Sequence, residues 1–327
     1  MQNLIFNMTI IPLNEEKAKK FLYKNSLTNC EIKKIAGDAS FRSYYRIFCA
    51  EKISILMFAP PSHEEIQPFI DIDKFLFEHG FCAPEIFAID EENGFLLLED
   101  FGDETYGRIL QKNVTNEEEL YKKAIDCLVE LQKISPPKNV AIYNHDLLFK
   151  EVMLFVDWYL IYEKKIDLNL ARRQEFKRLW FDLFDLLNRE DQTLVLRDFH
   201  ADNLMLLKNN NVGLLDFQDA VIGSKAYDLV SLLEDARRDL APNLASKMLQ
   251  YFLQNSSIDQ EKFLHDYEIL SLQRNIKILG IFSRLARRDG KEFYLKLLPR
   301  VRDYVITRIS TDSEVLQKIS QFLKDYV

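Results

Sequence analysis

One short polar segment most constrains how this chain can fold. Residues 196–203, "LRDFHADN", place two carboxylates, an imidazole and an amide between the apolar runs "TLV" and "LMLL". A further apolar run, "VGLLDF", ends at Asp216–Phe217, and the tripeptide "NNN" at 209–211 separates the two runs. Asparagine tolerates the left-handed backbone that tight turns require, so residues 203–217 are predicted to form a β-hairpin. A hairpin returns its far end to the level of its start, and Asp216 is therefore expected beside Asn203.

These residues suit the chemistry of a phosphate site. Asn203 and Asp216 supply an amide oxygen and a carboxylate, which are ligands that Mg²⁺ prefers. Asp198 is then a spare carboxylate that could accept a proton from a hydroxyl attacking a metal-bound phosphate. In loops, Asp and Asn most often serve as caps or turn formers. The joint spacing, D-x-x-x-x-N followed by a hairpin and D-F, is much rarer and favours phosphoryl transfer.

The rest of the chain changes character near residue 100. Before it lie three β-like runs and one helical segment, which ends at the stop signal Gly80. The runs are residues 44–48, 53–58 and 94–100, and the helix is predicted over 64–79. After residue 100 the pattern is mostly helical, with Leu120, Ala124, Leu128 and Leu131 on one face and Phe293, Leu297, Val301 and Val305 on another.

This pattern predicts an α+β fold of two lobes. Residues 1–99 are expected to form a small sheet-plus-helix lobe. Residues 100–327 are expected to form a larger helical lobe that carries the polar loop, the hairpin and the substrate-binding helices.

Composition narrows the possible partners and compartment. The 43 basic and 51 acidic residues give a net charge of −8, which argues against a nucleic-acid partner. The first basic residue is Lys17, so the start is a poor signal peptide, and the apolar stretch "VMLFVDWYLIY" is too short to span a membrane. The cysteines show no CxxC pair and no zinc spacing, so we expect reduced thiols in a cytoplasmic protein. They are Cys30, Cys49, Cys82 and Cys127.

The motif "LRDFHADN…LLDFQD" resembles the catalytic and metal-binding segments of the aminoglycoside phosphotransferase and choline kinase group, relatives of the protein kinases. That group typically shows H-G-D-L-H-x-x-N before its hairpin. The resemblance implies that Asp198 is the catalytic base, that His200 is the second histidine, and that Asn203 and Asp216 bind magnesium. Leu196 and Arg197 replace the group's first histidine and glycine, so the local support of the loop must differ.

Five segments in order resemble a narrower family, the bacterial anomeric N-acetylmuramate/N-acetylglucosamine kinases of peptidoglycan recycling. They are "GDASFRSYYRI", "APEIFAIDEENGFLLLEDFGD", "RDFHADNLMLL", "GLLDFQDAVIGSKAYDLVSLLEDARRD" and "QRNIKILGIFSRLARRDGK". The resemblance implies ATP and Mg²⁺ as cofactors and an amino sugar phosphorylated at its C1 hydroxyl. A monomer is expected, with no membrane partner.

The same resemblance places "AGDASFRSYYRI" at the loop that covers the ATP phosphates, so Ser40, Phe41 and Arg42 are expected to contact the nucleotide. Without it, the sequence would favour a plain polar turn. The usual third-strand lysine is absent, since the strand offers Met57 and Phe58 instead. Either another cation supplies the charge, namely Arg42, Arg46 or Lys52, or the phosphates rely on the metal ion and backbone amides. Glu64 or Glu65 could orient such a cation. The backbone around Glu99 is expected to meet the adenine edge.

The substrate-binding residues are less constrained by the sequence. Asp228 is expected to brace the catalytic loop, as in the group. Asp235 lies seven positions later, on the same face of a predicted helix, and could bind sugar hydroxyls. Arg238 and Arg274 could bind an acidic group on the sugar. Ion pairs within wet helix faces explain these residues equally well.

Three other functions stay open from the sequence. A choline or aminoglycoside kinase would also fit the acidic net charge. A non-catalytic ATP-binding regulator would explain the missing strand lysine, but not the retention of Asp198, Asn203 and Asp216. A metal-dependent phosphodiesterase could use the clustered aspartates, and would act without ATP.

Overall fold

The computed structural model describes residues 11–35, 41–50, 52–112 and 116–327. The chain packs into two compact units. We call Asn7–Lys112 together with Asp202–Asp219 the sheet unit, and Asn113–Ala201 together with Ala220–Val327 the helical unit. A small N-terminal sheet and a mainly helical C-terminal part confirm the predicted α+β class.

The sheet unit is built on five antiparallel strands in the order β1-β2-β3-β5-β4. They are β1 (Glu31–Lys34), β2 (Ser43–Cys49), β3 (Lys52–Phe58), β4 (Ile86–Asp90) and β5 (Phe95–Leu98). The three predicted runs correspond to β2, β3 and β5. Alternate residues of β2 are buried, as expected for a strand with one face on a core.

The pairing of β1 with β2 corrects the expectation that all four cysteines are reduced. Glu31 lies opposite Phe48, so the next pair along the two strands is Cys30 and Cys49, whose Cα atoms are 4.4 Å apart. These two cysteines form a disulfide, whereas Cys82 and Cys127 are free thiols. Sequence spacing did not indicate this bond, because antiparallel pairing brings together residues 19 positions apart.

Three helices and one hairpin complete the sheet unit. The helices are α1 (Glu15–Lys24), α2 (Gln67–Glu78) and α3 (Tyr106–Lys112), and the hairpin strands are β7 (Leu204–Leu206) and β8 (Val212–Leu214). Helix α2 begins three residues later than predicted and is followed by Gly80 at φ +82°. Phe95 lies at the centre of the core, with its ring centroid 5.7 Å from Phe21 and 5.4 Å from Phe58.

The helical unit contains eight α-helices within its described residues and one short pair of strands. The strands are β6 (Gln192–Val195) and β9 (Val221–Ser224), which pair antiparallel. The helices are α4 (Glu117–Leu131), α5 (His145–Leu154), α6 (Leu170–Phe184), α7 (Ala226–Leu233), α8 (Leu244–Asn255), α9 (Gln260–Arg288), α10 (Leu298–Ile309) and α11 (Gln317–Leu323). A π-helical segment, Phe155–Lys164, continues α5, and a 3-10 segment, Glu292–Leu297, precedes α10.

Other helices of the helical unit pack around helix α9. It lies so close to the end of α5 that a Cβ atom on Gly280 would stand 2.2 Å from the carbonyl carbon of Leu154, so only glycine fits there. The predicted helix face 293–305 needs one correction. The α-helix begins only at Leu298, with Pro299 in its first turn, and Phe293 in the 3-10 segment is 63% exposed.

The predicted division of the chain into two lobes between residues 99 and 100 stays a prediction. In the structure, the sheet unit extends to Lys112 and takes in the hairpin, which had been expected to belong with the helices. Of the helices described, none has both the length and the apolar character needed to cross a membrane.

Candidate active site

The hairpin brings the two predicted magnesium ligands together. Its turn has Asn210 in the left-handed region at φ 67°, as the asparagine tripeptide indicated. The Leu215 N–H donates to the Asn203 carbonyl, and Asn203 Nδ2 lies 3.4 Å from Asp216 Oδ2. Rotating the Asn203 amide would present its oxygen beside the same carboxylate, so this pair fits a hard divalent cation. Asp216 has φ 59°, a conformation that non-glycine residues adopt mainly at constrained sites.

No group of three or more His, Cys, Asp or Glu side chains within the described ranges is arranged to hold a metal ion. An Asn203–Asp216 pair would therefore need further oxygens from water or from phosphates. This requirement is characteristic of Mg²⁺ bound together with a nucleotide.

The proposed base lies in the helical unit, on a loop that Asp228 holds in place. The Asp228 carboxylate accepts hydrogen bonds from the backbone N–H groups of Leu196 (2.7 Å) and Arg197 (2.9 Å). Asp198 follows, with its N–H bonded to the Leu196 carbonyl at 2.9 Å. These bonds confirm that Asp228 braces the loop.

A cluster of buried charges adjoins this loop. Glu151 on α5 accepts hydrogen bonds from Tyr143 and Arg197 and forms an ion pair with Lys277 at 2.9 Å. Burial raises the pKa of Glu151, but Lys277 and Arg197 outweigh it and hold that pKa at about 2. Burial lowers the pKa of Lys277, but Glu151, Tyr227 and Asp198 together raise it above its ordinary value. Both cations next to Asp198 therefore stay charged.

His200 is 2% exposed, which makes it a core residue of the loop. Burial is the main reason that its pKa lies well below the ordinary value, and Arg237 and Arg274 lower it further. The ring is neutral at physiological pH. A direct contact with substrate stays a prediction.

In the sheet unit, Arg42 is the cation that is paired with the predicted glutamate. Its guanidinium lies 2.7 Å from the Glu64 carboxylate, and both side chains are largely buried. Burial and the charge of Asp216 raise the pKa of Tyr44, and the charge of Arg42 opposes them. The Phe41 ring packs on His63 at 4.7 Å between centroids. Ser40 lies outside the described residues.

The other two candidate cations have different partners. Arg46 binds Asp100 and Asp103 at 2.6 and 3.0 Å, just after β5. Lys52 is exposed and stands over the ring of Phe87. Among the three candidates, Arg42 is the one paired with the predicted glutamate, and its replacement of the strand lysine stays a prediction.

One cavity of about 500 Å³ in the sheet unit connects the end of β5 to the metal pair. Its lining includes Glu99 and Phe101 after β5 as well as Asn203 and Asp216, together with both apolar and polar side chains. The Glu99 N–H donates to the Glu85 carbonyl at 2.9 Å. A cavity of this size and mixed lining is typical of a cofactor site.

The predicted sugar-binding residues are engaged in structural contacts. Helix α7 ends at Leu233, so the prediction that Asp235 continues its face is wrong. Asp235 is 1% exposed and accepts from the Arg237 N–H at 2.9 Å. Arg238 binds Glu117 and Tyr121, and Arg274 donates to Ser231 Oγ at 2.8 Å. Their contact with a sugar stays a prediction, and these bonds favour the alternative of internal partners.

The family model described as "phosphotransferase enzyme family" matches residues 31–264, which is most of the chain. The chain belongs to that family. It is therefore a phosphotransferase, and its relatives are kinases.

Two relatives are named N-acetylmuramate/N-acetylglucosamine kinase. The one from Pseudomonas aeruginosa is 34% identical over 289 residues, covering 86% of this chain and 85% of the relative. The one from Pseudomonas putida is 35% identical over 277 residues, covering 83% and 81%.

Solved structures support the same fold. A choline kinase from Streptococcus pneumoniae matches with a TM-score of 0.65 at 14% identity, covering 90% of this chain and 99% of that one. An ADP-bound aminoglycoside phosphotransferase matches with a TM-score of 0.60 at 15% identity, with the same coverage. At these identities the likeness shows the fold alone.

Sequence reasoning did not single out two residues beside the phosphotransferase loop, Glu151 and Lys277. Glu151 follows Lys150 in "FKEVMLF", and Lys277 follows Arg274 by three residues in "QRNIKILG". Each has another charged residue close to it in the sequence, so neither stands out as a buried charge. The two halves of this pair are 126 positions apart, so neither points to the other in the sequence.

Proposed function

We propose that this phosphotransferase transfers the γ-phosphoryl group of Mg·ATP to the C1 hydroxyl of N-acetylmuramate and N-acetylglucosamine. The names of the relatives at 31–35% identity support this choice of substrate. The observation that carries the kinase assignment is one cavity lined both by Glu99 and by the Asn203–Asp216 pair. An adenine beside Glu99 and a metal ion at the pair would then share one volume.

The adenine would lie at the end of β5, where strand backbone and apolar side chains line the cavity. The phosphates would then extend towards Asp216, with Arg42 held by Glu64 as the nearby cation. An arginine fixed by a carboxylate keeps its direction without an entropy loss on binding. We assign Phe41, Ser40 and the backbone between them to the covering loop on the resemblance alone.

Asn203 and Asp216 would hold the magnesium ion. The bound ion would neutralise charge on the β- and γ-phosphates during transfer. Asp216 has one oxygen bonded to Gln218 Nε2 at 2.9 Å, which fixes the carboxylate and leaves its other oxygen towards Asn203.

Asp198 would orient and deprotonate the attacking hydroxyl. The anomeric hydroxyl is more acidic than an ordinary alcohol because the ring oxygen withdraws charge, so a carboxylate base suffices. Arg197, the residue before Asp198, and Lys277 are both bound to Glu151, so two fixed cations adjoin the loop that carries Asp198. Most of the rate enhancement would come from positioning and electrostatics.

We further propose that the enzyme acts as a monomer in the cytoplasm, on sugars released during peptidoglycan recycling. The use of ATP and the names of the relatives support this setting. The Cys30–Cys49 disulfide is unusual for a compartment that keeps thiols reduced. Cell fractionation and size-exclusion chromatography test the compartment and the oligomeric state.

The test of function is a substrate panel. The protein is incubated with Mg·ATP and N-acetylmuramate, N-acetylglucosamine, choline or an aminoglycoside, and the phosphate is located by phosphorus NMR. A sugar 1-phosphate is expected. Asp198→Asn should reduce its formation by at least about 10³-fold while Mg·ATP still binds. Phosphorylation of choline or an aminoglycoside instead would overturn the assignment, as would ATP-independent cleavage of a phosphodiester.

A further inference from the structure

Helix α9 is exposed along one narrow line beside the proposed base. Between Ile269 and Ala286 every residue is buried except Lys277, Ile281 and Arg284. Spacings of four and three residues place them on one face, and Arg288 follows after four more. We call Lys277, Ile281, Arg284 and Arg288 the α9 stripe. Three of its four side chains are cationic.

The contacts of Lys277, the first residue of the α9 stripe, show which part of the protein the stripe adjoins. Lys277 is bound to Glu151, which also accepts a hydrogen bond from Arg197, the residue before Asp198. The stripe therefore begins next to the carboxylate that would take the proton. Arg284 lies seven residues further, about 10 Å along the helix axis.

Arg284 differs from its neighbours Arg287 and Arg288 in its partners. Within the described part of the chain it makes no hydrogen bond and no ion pair within 4.0 Å, and its Nε is buried without an acceptor. By contrast, Arg287 forms two bonds with Glu163 at 2.8 and 2.9 Å, and Arg288 binds Asp289. Burial and the neighbouring charge of Arg288 lower the pKa of Arg284, and Asp289 opposes them.

A half-buried guanidinium without an acceptor is costly, because desolvation is not compensated by a bond to an anion. An anionic ligand group would remove that cost, and the fork of Arg284 suits a carboxylate in two-bond geometry. A pyranose ring with a short acidic arm has a length comparable to the spacing from Lys277 to Arg284.

We propose that Arg284 binds the carboxylate of an acidic amino sugar whose anomeric hydroxyl lies at Asp198. Arg284 is then a specificity-determining residue that favours N-acetylmuramate over N-acetylglucosamine, which lacks the acid. Arg288 adds positive charge at the same end of the stripe. This inference rests on the proposed function, since it assumes that an amino sugar occupies the site.

The anion could instead be a phosphate of ATP, so the experiment separates the two sources. Steady-state kcat/KM is measured for N-acetylmuramate, for its neutral carboxamide and for N-acetylglucosamine, together with KM for ATP. The variants are Arg284→Gln, Arg284→Lys and the matched control Arg287→Gln, an exposed arginine with its own partner.

Arg284→Gln is expected to lower the ratio of kcat/KM for N-acetylmuramate over N-acetylglucosamine by about 10- to 100-fold, the range of one charge-assisted bond. Arg284→Lys should retain part of that ratio, and Arg287→Gln all of it. In the wild-type protein, kcat/KM for the neutral carboxamide should be close to that for N-acetylglucosamine. This comparison tests the role of the carboxylate without any substitution in the protein.

Two results would overturn the inference. One is an unchanged ratio in Arg284→Gln together with equal wild-type rates on the acid and its carboxamide. The other is a raised KM for ATP with every sugar affected equally, which would assign Arg284 to the phosphates. Both results leave sugar phosphorylation intact, so they are distinct from a failure of the proposed function, in which no amino sugar is phosphorylated.

Discussion

Asp73 should make the folded protein less stable as the pH rises. It lies on α2, is 3% exposed, and its Oδ1 has no hydrogen-bond partner within the described residues. Burial raises the pKa of Asp73 from its ordinary value of 3.8 to about 7, and the exposed Lys74 offsets this rise only in part. Asp73 is therefore a buried acid that the fold tolerates best in its neutral form.

The sign and size of this change in stability with pH follow from proton linkage. Between pH 4 and pH 7 the folded protein retains a proton that the unfolded chain has lost, so raising the pH through this window removes stability. A shift of about three pKa units corresponds to about 4 kcal/mol once the pH is above 7. At pH 5 the same two pKa values give about 1.5 kcal/mol.

Asp73→Asn removes this dependence, because an amide does not ionise. The variant should be more stable than the wild type at pH 8, by about 1 to 3 kcal/mol after the cost of a buried amide is subtracted. At pH 5 the gain in stability should be about 2.5 kcal/mol smaller than at pH 8. Urea denaturation at both pH values measures this, with Asp71→Asn, a half-buried acid bonded to Gln67, as the control. A gain of equal size at both pH values would refute the reasoning.

Three further predictions concern the site. Asp216→Ala should weaken nucleotide binding in a magnesium-dependent way, and an unchanged magnesium titration would contradict its assignment. Asp228→Asn replaces the acceptor of two backbone bonds by a group with one acceptor oxygen, so kcat should fall by about 10- to 150-fold; a fully active variant would remove its positioning role. Glu64→Gln should raise KM for ATP several-fold by releasing Arg42, whereas the exposed Glu65→Gln should not; equal effects would argue against the pair.

The hairpin could be predicted because its signals are local. Apolar runs of strand length, a turn of asparagines and an acid at the end of the second run lie within fifteen residues. The register that places Leu204 opposite Leu214 then brings Asn203 beside Asp216. Backbone geometry alone does this, so no distant part of the chain was needed for the prediction.

The remaining features depend on contacts between distant segments. Strand β1, "EIKK", is short and polar, and its pairing with β2 is what joins Cys30 to Cys49. The Glu151–Lys277 pair depends on how α5 packs against α9. Arg42 could be listed as a candidate cation, but only the fold pairs it with Glu64. In each case the pairing follows from the packing of segments that lie far apart in the sequence, so no local pattern indicates it.

The arginine at 197 shows how the loop departs from the family pattern and still keeps its shape. Its φ of 70° is a left-handed conformation, where glycine is the least strained residue and another residue costs about 1 to 2 kcal/mol. The Asp228 bond to its N–H holds that backbone, and its side chain reaches Glu151. A glycine would avoid the strain but would leave Glu151 with fewer cations to balance its buried charge. The exchange of glycine for arginine therefore places a positive charge, held by Glu151, directly before Asp198 in the loop.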